Sequence, residues 1–361
     1  MRLLAALLIT PLLFGEVFLV GTYTGKGSTG IYPYYFDAKT GAITSMGLPT
    51  NTPSPSFLAV HPSGKFLYAV NEEGKGSVSA FSIAQGSRAL RPLNELPSEG
   101  RGPCHITVDH TGRVVIIANY DSGSVVSYLV ASDGSLDHRV SLMQHQGAGP
   151  DLKRQTGPHA HSVYVSPDNK FVYVADLGLD RIYRYALDAT TATLNATAPA
   201  YFSVKPGFGP RHIAFSKDQR FAYVINEMAS KITVMRLSAT GTLTEVSNVS
   251  TLPAEFKGES TTAEIELSPS GRFLYASNRG LDSIAVFAVS PEGGLKLLQN
   301  MPTGGATPRH FALTPDGGHL IAANQNGNNM SVFTVDQKTG LLTDTKKRTA
   351  LSSPVCILFL K

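Results

Sequence analysis

One pattern recurs six times along this chain, and it leaves the fold little freedom. Each copy starts on a residue pair, continues as an apolar run, turns at a Ser/Pro/Asp/Gly-type cluster and returns in a second run ending in Asn or Asp. A loop and a third run complete it. The copies are "PSFLAVHPSGKFLYAVNEEGKGSVSAFSI" from Pro55, "PCHITVDHTGRVVIIANYDSGSVVSYLV" from Pro103 and "AHSVYVSPDNKFVYVADLGLDRIYRYAL" from Ala160. The other three are "PRHIAFSKDQRFAYVINEMASKITVMRL" from Pro210, "TAEIELSPSGRFLYASNRGLDSIAVFAV" from Thr262 and "PRHFALTPDGGHLIAANQNGNNMSVFTV" from Pro308. Their starts lie roughly 46 to 57 residues apart, the spacing of four-stranded propeller blades. The runs are short and rich in Val, Ile, Phe, Tyr and Ala between turn formers, which is a strand signal without a helical competitor. The less regular sequence between copies, such as "LTEVSNVSTL", supplies a fourth strand.

The ends complete the ring. "PVCILFLK" at the C-terminus matches a first strand and stops, whereas "EVFLVGTYTGKGSTGIYPYYFD" near the N-terminus matches a second and third strand without a first. The two make one blade shared by both termini, which removes a free sheet edge. The sequence therefore predicts an all-β, seven-bladed propeller with antiparallel four-stranded blades, one domain over residues 16–361. Cys104 and Cys356 fall in non-adjacent blades, too far apart for a disulfide, so both are expected as free thiols.

Before that domain, Arg2 is followed by apolar Leu3 to Phe14, a stretch that reads as a leader over residues 1–15 and is too short to span a bilayer. If it is a signal peptide the protein is periplasmic or secreted; otherwise it is cytoplasmic. A net charge of +4 without a basic run argues against a nucleic-acid partner. The absence of tryptophan argues against WD40 and quinoprotein propellers.

In a blade the first strand lines the channel and the second returns antiparallel, so the start of one and the end of the other share a rim. Around the ring the starts hold Ser56-Phe57, Cys104-His105, His161-Ser162, Arg211-His212, Ala263-Glu264, Arg309-His310 and Val355-Cys356. The second strands end at Asn71-Glu72, Asn119-Tyr120, Asp176-Leu177, Asn226-Glu227, Asn278-Arg279 and Asn324-Gln325. The repeated Asn/Asp is expected to serve turn structure. The histidines, arginines and glutamates differ from blade to blade, so the fold does not require them, and they mark a site. His159 is either a loop residue or part of it. His61, His110 and His319 sit in turns at the opposite rim, and Tyr173, Tyr223 and Tyr275 are expected to pack between blades.

Three stretches, "PHAHSVYVSPDNKFVYVADLGLDRIYRY", "GPRHIAFSKDQRFAYVINE" and "EIELSPSGRFLYASNRGLDSIAVF", resemble the seven-bladed propeller lactonases. That group contains bacterial 6-phosphogluconolactonases and the fungal 3-carboxymuconate lactonizing enzyme. The resemblance implies a catalytic set of His161, Arg211, Glu227 and Arg279, with no metal or organic cofactor. His105, His212, Glu264, Arg309, His310 and Asn324 are the expected substrate-binding residues. An anionic lactone, hydrolysed by a monomer without a membrane span, is the expected substrate. His161 or Glu227 can act as base, while Arg211 and Arg279 can grip an anion and steady an oxyanion. Export would favour an unphosphorylated lactone. Three alternatives stay open: a lactonizing cycloisomerase on the same residues, a non-catalytic binding propeller, and a calcium-dependent lactonase using Asp176, Asn226 and Glu227.

Overall fold

The computed structural model of the protein describes residues 16–25 and 27–360, and the expected leader lies outside them. Seven antiparallel sheets follow in chain order. Blades 1 to 6 have inner strands Leu58–Val60, Pro103–Val108, Ala160–Val165, Pro210–Phe215, Thr261–Leu267 and Pro308–Leu313. Blade 7 joins the termini: its inner strand Pro354–Phe359 pairs antiparallel with Glu16–Thr22, Phe18 facing Phe359 and Val20 facing Ile357. Each inner strand touches the next around the ring, and Pro354–Phe359 closes it against Leu58–Val60. The expected closure is thus observed. Blade 7 differs in one detail, since its outer edge is split between Ala42–Ser45 and Thr50–Asn51, which pair with opposite ends of Gly30–Asp37. Among the described residues no helix is long and apolar enough to cross a membrane.

The alternation read from sequence becomes seven apolar seams, one between each pair of adjacent blades. Between blades 2 and 3, Val114, Ile116 and Val125 meet Val163, Val172 and Val174. Between blades 7 and 1, Leu19 and Ile31 meet Leu58, Leu67 and Phe81. Fully burying one such side chain stabilises by about 1.5–3 kcal/mol, so the seams hold the ring shut. Second-strand tyrosines bolt the seams, as expected for packing residues. Tyr68, Tyr173 and Tyr275 donate to the carbonyls of Gly134, Gly241 and Gly340, each on the following blade.

The Asn/Asp column is structural, and Asn324 belongs to it. Asn324 is fully buried with its amide given to Asn329 and Ser331 of its own blade, and no bond ties it to the charged rim. Its Oδ1 is buried without a hydrogen-bond partner. Asp176 is likewise committed, to His145 at 2.6 Å and to the backbone N–H groups of His159 and Leu179. Among the described residues no group of three or more His, Cys, Asp and Glu side chains could hold a metal ion, and Glu227 is paired with Arg154, Arg211 and Arg279. Of the three histidines expected in turns at the opposite rim, His61 bonds Ser63 and the Gly112 carbonyl, whereas His319 opens the second strand of blade 6, His319–Asn324.

Candidate active site

A bulge at the start of the inner strands builds the site. In blade 3, Ala160 faces Asp176 and Ser162 faces Ala175, which leaves His161 opposite no partner. The same slip leaves out Cys104 in blade 2, Arg211 in blade 4 and Arg309 in blade 6. A bulge re-aims the extra residue and frees it from the ladder. The next residue returns to the ladder one level down. In these four blades the pair is thereby divided, the first member at the rim and the second beneath it, whereas in blade 5 both Ala263 and Glu264 fall outside the ladder.

The rim layer converges on Glu227, the residue that follows the second strand of blade 4, Phe221–Asn226. Glu227 Oε2 lies 3.2 Å from Arg211 Nε, 2.9 Å from Arg279 Nη2 and 3.8 Å from His161 Nε2. Oε1 accepts a 2.6 Å bond from Arg154. The four residues singled out as catalytic are therefore in one cluster. Burial alone would raise the Glu227 pKa, but Arg279, Arg211 and Arg154 outweigh it and hold it at about 2. Glu227 is an anion at any ordinary pH. His161, 4% exposed, is pushed well below the usual imidazole range by burial and by Arg211, so it is uncharged. Its carbonyl accepts from the Cys104 thiol at 3.1 Å, and both cysteines are buried and free.

Positive charge exceeds negative here. Arg154, Arg211, Arg279 and Arg309 face Glu227 and Glu72, the latter bonded to the Tyr23 hydroxyl while Arg309 lies over the Tyr23 ring. Arg211 shows the imbalance directly: burial and the neighbouring Arg279 and Arg309 lower it to about 10. A buried guanidinium with too few counter-charges is a prepared anion site.

The floor is made by Phe57, His105, His212, His310 and Glu264. Phe57 reaches across the channel, stacking on His105 at 4.1 Å and meeting His212 and His310 edge-on at 5.7 and 5.6 Å. Arg211 Nη1 donates to His212 Nε2 (3.3 Å), so the His212 proton is on Nδ1, 3.1 Å from Glu264. The Ile357 N–H donates to His310 Nδ1, which leaves Nε2–H for Glu264 at 3.1 Å. Glu264 thus receives two imidazole protons, and through His212 it fixes the Arg211 fork. His105, His212, Glu264 and His310 support the site from below, while Arg309 flanks it. Beneath the floor the channel widens to about 690 Å³ toward the other mouth.

These buried imidazoles predict an acid-sensitive fold. Burial lowers the pKa values of His105, His161, His212 and His310, the last to about 4. Below about pH 6.5 the unfolded chain takes up protons that the folded chain refuses, so stability falls with pH. Glu264 and Glu266 oppose this: burial raises both, Glu266 to about 8, and the stability they contribute is lost as pH rises. The lowered histidines outnumber the raised carboxyls, so a net loss of stability is expected as pH falls from about 6.5 toward 5. Urea titrations at pH 7, 6 and 5 measure it, and an unchanged midpoint would refute the neutral-histidine floor.

Two contributors escaped the sequence reading. Arg154 lies in the loop between blades 2 and 3, outside every repeat copy. Tyr120 was visible only as the residue after Asn119; its hydroxyl meets Arg154 at 3.3 Å and its ring stacks on His159 at 4.5 Å. His159 is accordingly a supporting loop residue, bonded to the Tyr120 carbonyl.

A closed propeller with an arginine-ringed carboxylate and a neutral histidine at one mouth has recognisable relatives. The family described as "Lactonase, 7-bladed beta-propeller" matches residues 17–359. The 6-phosphogluconolactonase of Bacillus subtilis is 37% identical over 94% of this chain and 97% of its own length. Among solved structures, a putative 6-phosphogluconolactonase from Bacteroides fragilis superposes with a TM-score of 0.91 at 36% identity, covering 96% of this chain and 98% of that one. The periplasmic gluconolactonase of Pseudomonas aeruginosa superposes with a TM-score of 0.92 at 32% identity, covering 96% and 99%. The chain belongs to this family of lactone-hydrolysing propellers.

Proposed function

We propose that this rim hydrolyses an anionic, sugar-type lactone, with His161 as general base. The observation that carries the reading is the uncharged His161 imidazole beside a Glu227 carboxylate already paired with three guanidiniums. A base has to be unprotonated and able to gain a proton. Glu227, held at about 2, is a counter-ion rather than a base. His161 takes a proton from water as the water oxygen bonds the lactone carbonyl carbon, and Glu227 stabilises the imidazolium so formed. Arg211 and Arg279 stabilise the tetrahedral oxyanion. Breaking the ring C–O bond then returns the proton from His161 to the leaving alkoxide, giving a hydroxy acid. Loss of the acid proton to solvent completes the balance.

The excess of arginine over glutamate supports an anionic substrate, and the relatives' names, 6-phosphogluconolactonase and gluconolactonase, bracket the candidates. The deciding experiment is a pH-stat assay of acid release from 6-phosphogluconolactone and glucono-δ-lactone. Release above the spontaneous rate is expected, and no release from either would sink the lactonase reading for this chain. Every step above uses protein groups alone, so EDTA is expected to leave the rate unchanged; a chelator-dependent loss restored by calcium would overturn the metal-independent reaction.

A further inference from the structure

The four rim arginines are not held alike. Arg211 donates to the Ala263 carbonyl at 2.7 Å and Arg279 to the Thr262 carbonyl at 2.7 Å, while Arg309 is held over Tyr23. Arg154 has no backbone tether among its described bonds. Its guanidinium meets only Glu227 Oε1 and the Tyr120 hydroxyl, and its side chain is 42% exposed against 3% for Arg211 and 15% for Arg279.

The backbone beneath Arg154 is fixed. Asp151 Oδ1 accepts from the N–H groups of Lys153 and Arg154. Gln155, fully buried, donates to the Leu177 carbonyl, and its side-chain oxygen accepts from Asp151 N–H. A long cationic side chain thus hangs from a rigid turn at the lip of the pocket, resting on an oxygen that no other arginine uses. Its present partner is a single carboxylate shared with two other guanidiniums. A phosphate monoester carries more charge and offers the fork two oxygens.

We propose that Arg154 selects substrates bearing an anionic group outside the lactone ring, leaving Glu227 Oε1 to pair with that group. This rests on the lactonase reading and adds a specificity residue to it. Departure of Arg154 also strips Glu227 of one counter-cation, so the carboxylate draws harder on the His161 proton. A phosphorylated sugar lactone would trigger the exchange; a neutral one would leave Arg154 in place.

Calorimetric binding of 6-phosphogluconate and gluconate to the full chain tests this without turnover. Arg154→Gln is expected to weaken 6-phosphogluconate at least about ten-fold while leaving gluconate within about two-fold, since a charge-assisted fork is lost. Arg154→Lys, which keeps the charge without the fork, recovers part of the loss. Equal weakening of both ligands, unaltered 6-phosphogluconate binding, or a wild type that does not distinguish the two would each overturn the proposal. Selective, Arg154-dependent binding in a wild type that hydrolyses no lactone would support it and sink the lactonase reading alone.

Discussion

Glu227→Gln is expected to destabilise the folded protein by about 3 kcal/mol and to lower kcat/KM on the order of a hundred-fold. The first effect follows from what the carboxylate holds. Removing one partner of a buried ion pair strands the other charge, at about 3–5 kcal/mol. The low end applies because Arg154 and Arg279 keep access to solvent, and only Arg211, 3% exposed, is stranded. Glutamine keeps the shape, so the loss is electrostatic. The second effect follows from the unsupported imidazolium. Urea denaturation beside steady-state kinetics separates the two. Arg211→Met added to Glu227→Gln should recover part of the stability and none of the activity, because it removes the stranded cation along with an oxyanion donor. A Glu227→Gln protein as stable as wild type would mean that the arginines are balanced elsewhere.

The repeat made the ring legible because a blade is a local object: three runs and their turns lie within one copy, and the complementary ends leave one closure. The same logic brought His161, Arg211, Glu227 and Arg279 to one mouth. The division between rim and floor was not legible. Cys104 and His105, or Arg211 and His212, are neighbours in sequence, and only a register slip sends one up and the other into the ladder. Nothing in the residue types announces that slip, so the sequence does not show that His105 lies one level below the rim. Asn324 was grouped with the site although its column repeats in every full blade, the mark of a fold requirement. Arg154 was hidden for the opposite reason. Its loop repeats nowhere, and its partner Glu227 is 73 residues away.

His161→Gln is expected to lower kcat on the order of a thousand-fold, within the 10²–10⁴ range of general base catalysis, with little change in KM. The imidazole is uncharged, and 3.8 Å separates it from Glu227 Oε2, so its removal strands no charge and the fold should tolerate it. This sets it apart from Glu227→Gln, where activity and stability fall together. The wild-type pH profile carries the sign. The base works unprotonated, and burial with the Arg211 field lowers the pKa at which it is lost. The rate should therefore stay on its plateau as pH falls through 6.5 and decline only well below. An acid limb centred near 6.5 would describe an exposed imidazole and contradict the buried one. A ten-fold or smaller loss of kcat in His161→Gln would move the base to Glu227, and the arginines around it would then have to leave before the chemistry begins.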